Sequence, residues 1–190
     1  MVVATDRSFS LDEYRALEEK SEQRHEYRNR EIVAMPGGSL NHSRIGRNLL
    51  TYLTFSLRDT EFEPINNDLR LWLPAYQRGL YPDVMVFRGA PTLNENRQDE
   101  ALDPLTIIEV LSPSTAEYDR ENKFRLYRSI PTFTEYLLVE QNEFFVEVYR
   151  KQSEGWLLQD YSSLDQVIPI KCLDINLPMT EIYRGISLTA

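Results

Sequence analysis

The sequence predicts an α/β fold, and three observations carry that expectation. Short apolar runs rich in β-branched and aromatic residues recur at 81–87, 105–111, 135–140 and 144–149, the pattern of buried strands. Segments with helical spacing stand among them; Ile45, Leu49, Leu50, Leu53 and Leu57 mark the longest, a stripe suited to packing on a sheet face. With 190 residues, 42% of them hydrophobic, and only 7 Gly and 10 Pro, the chain can fill one core and shows neither linker nor repeat. Residues 1–190 are therefore expected to form a single domain.

The elements follow in order. Ser8 or Ser10 can cap a helix through 11–17, with Asp12 and Glu13 in the first turn as the helix dipole prefers. Residues 24–28 and 31–35 read as a hairpin turning at Asn29-Arg30 and ending at Pro36-Gly37-Gly38, with Glu26 on its first strand. A long helix over 39–57 places His42 and Arg44 in its first turn. Residues 62–65 and 69–73 read as a second hairpin around Asn66-Asn67-Asp68, then a polar loop leads to the strand carrying Asp83. The stretch 88–104 reads as an exposed polar loop. After the Glu109 strand, Ser114 and Glu117 have capping-box spacing, which predicts a helix from there to about Ile130, before Pro131. Three strands follow, at 135–140, 144–149 and 156–161, and a helical turn at 179–183.

Composition excludes several classes. The formal net charge of −9 argues against a protein that coats nucleic acid by bulk electrostatics. Cys172 is the only cysteine, and there are two histidines, so an intramolecular disulfide, a thiolate cluster and a His-rich zinc site are ruled out. The N-terminus has no apolar signal region and no run approaches a membrane span, so a cytoplasmic protein without membrane partners is expected.

The chemistry concentrates in the two strands at 81–87 and 105–111, each of which carries one acid, Asp83 and Glu109. A carboxylate inside such a strand must be paired, neutralised or bound to a cation. Asp119, Lys123 and Tyr127 stand four residues apart, hence on one helix face, and can bring one of only four lysines toward the acids. Two carboxylates sharing a hard cation such as Mg²⁺ or Mn²⁺, with an ammonium nearby, suit phosphodiester hydrolysis. Each residue also has a plainer reading. Asp83 can cap backbone amides at a strand end, Lys123 can pair with Asp119 along its helix, and Glu26 can pair with Arg24, Arg28 or Arg30. His42 can serve the helix start by hydrogen bonding, and Tyr127 can face the core.

Pro82-Asp83 followed by Glu109-Val110-Leu111 resembles the PD-(D/E)XK motif of restriction-endonuclease-like nucleases, with Leu111 at the position of the motif's lysine and Lys123 as the migrated lysine. Tyr81-Pro82-Asp83, Glu109 to Ser114, and Asp119-x-x-x-Lys123-x-x-x-Tyr127 resemble more closely the Uma-type endonuclease branch. Arg24 to Tyr27 with Glu31-Ile32-Val33, and Asn41-His42-Ser43, extend the resemblance over most of the chain. That branch usually turns its hairpin with Asp-Gly, where Asn29-Arg30 stands here. The resemblance implies a restriction-endonuclease-like core, a mixed β-sheet flanked by helices. It further implies catalytic residues Asp83, Glu109, Lys123 and Glu26, a metal site of Asp83, Glu109 and Glu26, and DNA as substrate. The alternatives are a catalytically silent binding or dimerisation module that retains the fold, and a small-phosphoester hydrolase with an enclosed pocket. A homodimer is left open. If the three acids converge, at least one carboxyl pKa should rise. Arg120, Arg125 and Arg128 are the first candidates for phosphate contacts.

Overall fold

The computed structural model describes residues 8–35 and 37–188; Pro36, expected to end the first hairpin, lies outside them. The fold is a mixed α+β architecture with sheets of five, six and two strands and helices packed on them. Helix α1 (Leu11–Glu18) starts at Ser10, whose side chain accepts from the Glu13 amide while Glu13 reaches back to the Ser10 amide. Strands β1 (His25–Arg28) and β2 (Glu31–Ala34) form the expected hairpin. Asn29 and Arg30 both sit in the left-handed region, φ 50° and 68°, so the turn keeps the geometry that suits a twisted hairpin without a glycine. Helix α2 (Leu40–Leu57) is capped by Ser39 and buries Ile45, Leu49, Leu53 and Leu57; each such burial contributes about 1.5–3 kcal/mol.

The second hairpin is not formed. Strand β3 (Phe62–Asn66) pairs with β6 (Val84–Arg88), while β4 (Arg70–Leu73) pairs with β5 (Arg78–Leu80), so the turn at Asn66 to Asp68 carries the chain from one sheet to the other. The physical reason lies in the strands. Pro64 lacks a ladder donor, which suits the edge that β3 occupies, whereas all four residues of β4 are buried between β5 and β7 (Glu100–Ala101). Strands β5 and β7 lie inside stretches expected to be loops, and β7, parallel to β4, is fully buried.

The six-stranded sheet has the order β11-β10-β9-β8-β6-β3, with β8 (Thr106–Leu111) antiparallel to β6 and parallel to β9 (Glu135–Glu140). Strands β10 (Val146–Gln152) and β11 (Gly155–Tyr161) complete it. One face packs on α2, on the ribbon of β12 (Val167–Ile170) and β13 (Ile175–Pro178), and on the last turn. The other face packs on the helix at 116–127. That helix contains a π-helical segment, Tyr118–Lys123, and ends as α3 (Phe124–Tyr127), with turn bonds continuing to Ile130. Its expected cap is absent: Ser114 bonds Ser112 instead, and no side chain caps the helix start. The final turn is α4 (Met179–Ile182).

Candidate active site

Asp83 and Glu109 meet across the β6–β8 ladder. Val84 lies opposite Ile108, so Asp83 sits just outside β6 beside the middle of β8. Its Oδ2 accepts from the Val110 amide at 2.7 Å, which satisfies the strand-end reading, and lies 3.4 Å from His42 Nε2. His42 thus serves more than its helix start. Burial pulls its imidazole toward the neutral form, but Asp83, Glu109 and Asp119 outweigh burial and raise its pKa.

Ile107, Glu109 and Leu111 alternate onto the sheet face that the 116–127 helix covers. Leu111 is packed in that apolar cluster with Tyr127, so no ammonium enters from its position. The helix supplies one. Lys123 Nζ donates to Glu109 Oε1 at 2.9 Å, lies 2.9 Å from Asp119 Oδ1 and 3.8 Å from Glu26 Oε1. Tyr127 donates to the same Glu109 oxygen at 2.7 Å. Tyr127 is therefore core-facing, as its plain reading had it, and bonded to the site. The π segment widens the turn carrying Asp119 and Lys123, a local winding often found at functional sites.

Glu26 is buried on β1 and reaches the same lysine, yet its Oε2 is held by Arg28, whose Nε donates at 2.6 Å. Glu26 and Glu109 thus meet through Lys123. Among the described residues, no group of three His, Cys, Asp or Glu side chains is arranged to hold a metal ion, so the ligand set of Glu26, Asp83 and Glu109 is not preformed. Gln141, which the sequence gave no reason to notice, braces the end of β8: its Nε2 donates to the Leu111 carbonyl at 2.7 Å and its Oε1 accepts from Ser39. Arg120, one of the arginines expected to meet phosphate, instead donates to Glu140 and Glu147 at 2.7 Å each.

Burial raises the Glu109 carboxyl well above the ordinary carboxylate range; Lys123 opposes the shift and the charges of Asp119 and Asp83 add to it. Lys123 shows the opposite balance. Burial favours its neutral form, but Glu109, Glu26 and Asp119 hold its pKa well above the usual lysine value. Negative charge exceeds positive charge here. Asp119 Oδ1 is fully buried without an aligned hydrogen bond, and Glu109 Oε2 and Asp83 Oδ1 accept none from the described residues. Two carboxylates with free oxygens, completed by water, match how Mg²⁺ is commonly held, so Asp83 and Glu109 fit a hard divalent cation.

The comparisons with known proteins agree with this geometry. A family model described as "Uma2: Putative restriction endonuclease" matches residues 11–180. Two Synechocystis sp. proteins are similar: "Uncharacterized protein sll1609", 38% identical over 161 residues covering 84% of this chain and 91% of that one, and "Uncharacterized protein slr1290", 36% identical over 179 residues covering 94% and 93%. A crystal structure from Anabaena variabilis, described as "a putative nuclease belonging to DUF820", superposes with a TM-score of 0.75 at 20% identity, covering 94% of this chain and 99% of that one. That likeness establishes the shared fold.

Proposed function

The chain belongs to the Uma2 family, and on that premise we propose that it is an endonuclease hydrolysing phosphodiester bonds of DNA with Mg²⁺ or Mn²⁺ as cofactor. The observation that carries the reading is Lys123 Nζ at 2.9 Å from Glu109, on the strand beside Asp83. A silent module would have no need to bury a lysine against an excess of carboxylates, since such a group costs stability unless it is used.

In this reading Asp83 and Glu109 would hold the ion, and Glu26, if released by Arg28, would be the third ligand. When bound, such an ion supplies a polarised phosphoryl oxygen and a water of lowered pKa. The protein's own groups do the rest. Lys123, kept protonated by its carboxylates, orients the attacking water and offsets charge developing on the phosphate. Tyr127 fixes one Glu109 oxygen and leaves the other free. His42 and the Val110 amide hold Asp83 in one orientation, and Gln141 steadies the strand end.

The test is incubation of plasmid and single-stranded DNA with the protein and Mn²⁺, alongside Asp83→Asn. The expected result is cutting by the wild type that EDTA and the substitution both abolish. Intact substrate under every divalent cation tried overturns the proposal in favour of a binding module.

A further inference from the structure

We propose that Arg28, Arg78 and Tyr118 form the rim that grips the phosphate backbone beside the site; this inference rests on the nuclease reading and names where its substrate lies. Tyr118 opens the π segment that carries Lys123, whose Nζ lies 6.0 Å from the Tyr118 ring centre. The Arg28 guanidinium stacks on that ring at 3.9 Å, and Arg78 NH1 donates to the phenol oxygen at 3.4 Å. Arg78 also holds Asn29 in the β1–β2 turn, so three elements converge on this edge.

Arg28 has a donor to spare. Arg28 uses Nε and one terminal nitrogen on Glu26, which leaves its other terminal nitrogen without an acceptor among the described residues, on a side chain that is 26% exposed. Arg78 is engaged within the protein: its terminal nitrogens hold Tyr118 and Asn29 and its Nε is buried, so its part is to fix the ring and add positive charge at this edge. A guanidinium held flat by an aromatic ring has lost little further freedom when it meets a phosphate, and its fork matches two phosphate oxygens. The need for such a rim is electrostatic. The site gathers Glu26, Glu109 and Asp119 around one lysine, with Asp83 on the neighbouring strand, and a polyanion must be drawn past them on a chain of net charge −9. The contact is to backbone and not to bases, because Arg28 already covers the Tyr118 face on which a base would stack.

The experiment measures fluorescence anisotropy of two fluorescein-labelled 20-base-pair duplexes of unrelated sequence with the full chain in EDTA, across a salt series. Arg28→Gln and Arg78→Gln are each expected to weaken binding roughly three- to tenfold, equally for both sequences, and to make the slope of log affinity against log salt shallower by about 0.9. Arg58→Gln, just past the end of α2 remote from His42, is expected to leave both unchanged. Should Arg28→Gln lose its thermal transition through its effect on Glu26, Arg28→Lys replaces it; that variant should keep the salt slope and lose affinity, because charge remains and the fork is gone. A double Arg28/Arg78 variant that binds like wild type, while wild type still cuts DNA with Mn²⁺, overturns the rim and leaves the nuclease reading standing. A wild type that binds neither duplex at about 50 mM salt and cuts nothing overturns both.

Discussion

Glu109 and Glu100 are two glutamates almost wholly shielded from solvent, yet their neighbourhoods drive them in opposite directions. Glu100, on β7, takes Arg15 in a two-pronged contact at 3.0 and 2.8 Å, Asn94 at 2.6 Å, and has Arg70 at 3.3 Å. Burial raises its pKa, but Arg15, Asn94 and Arg70 outweigh burial and bring it below the ordinary value. Glu109 has one ammonium and one phenol, and two further acids act on it. Solvent exposure does not separate them; Glu109 lies deeper in the protein and meets fewer opposing charges. The balanced cluster is what a structural clasp needs, and the unbalanced one is what a cation-binding site needs.

Measurements of activity and stability break or sharpen this contrast. The largest effect belongs to the unbalanced cluster: Asp83→Asn and Glu109→Gln should each lower Mn²⁺-dependent cutting at least about a thousandfold, some 4 kcal/mol in transition-state terms, with unchanged circular dichroism. Lys123→Met should lose most of the rate yet keep the thermal shift that Mn²⁺ causes; losing both together would refute its assigned role. In the balanced cluster, Arg70→Met leaves buried Glu100 under-compensated and should cost about 3–5 kcal/mol in urea unfolding, whereas Glu109→Gln should raise the melting temperature of the metal-free chain.

The pH dependence follows from the same contrast. The Glu109 carboxyl is pushed up to about 8 in the folded chain and returns to its ordinary range on unfolding. Below the ordinary range both states carry the proton and nothing is lost. As pH rises from there to about 8, the unfolded chain releases a proton that the folded chain retains, so stability falls by up to about 1.4 kcal/mol per pH unit. Urea titrations of metal-free protein between pH 5 and 8 should show this slope for wild type and a flatter one for Glu109→Gln. Next in size, Mn²⁺ at a hundredfold excess over its dissociation constant should add about 2.7 kcal/mol, or about 5–10 °C in melting temperature, with Mg²⁺ doing less at equal concentration. The smallest effect tests the caps: Ser10→Ala should cost about 1 kcal/mol, and Ser114→Ala, whose hydroxyl caps nothing, within about 0.5 kcal/mol of zero.

Apart from the Ser114 cap, which bonds Ser112 instead, local chemistry was legible in the sequence and long-range pairing was not. Ser10, the Asn29-Arg30 turn and the stripe of α2 act through neighbours a few residues away, and each formed as read. Asp83, Glu109 and Lys123 were legible because a charge inside an apolar strand, and a scarce lysine at helical spacing from Tyr127, are anomalies that demand a partner. The split of β3 from β4 was not legible, since the pairing of β4 is decided by the distant β7. Strands β5 and β7 are two or three residues long and carry too little pattern to show. The π segment leaves no compositional mark, and the hold of Arg28 on Glu26 had two rivals, Arg24 and Arg30, equally near in sequence. Arg24 instead reaches Asn67 and Asp68.

The two clusters also differ in how much chain each must close. Glu109 and Lys123 are 14 residues apart, while Arg15 and Glu100 are separated by 85. The short loop closes at little entropic cost, so the strand–helix unit that holds the lysine can assemble early, with its neighbours still searching. The clasp at Glu100 must wait until most of the chain is ordered. On the nascent chain, α1 is made first and docked late, and the centre of the molecule is built before its beginning is put away.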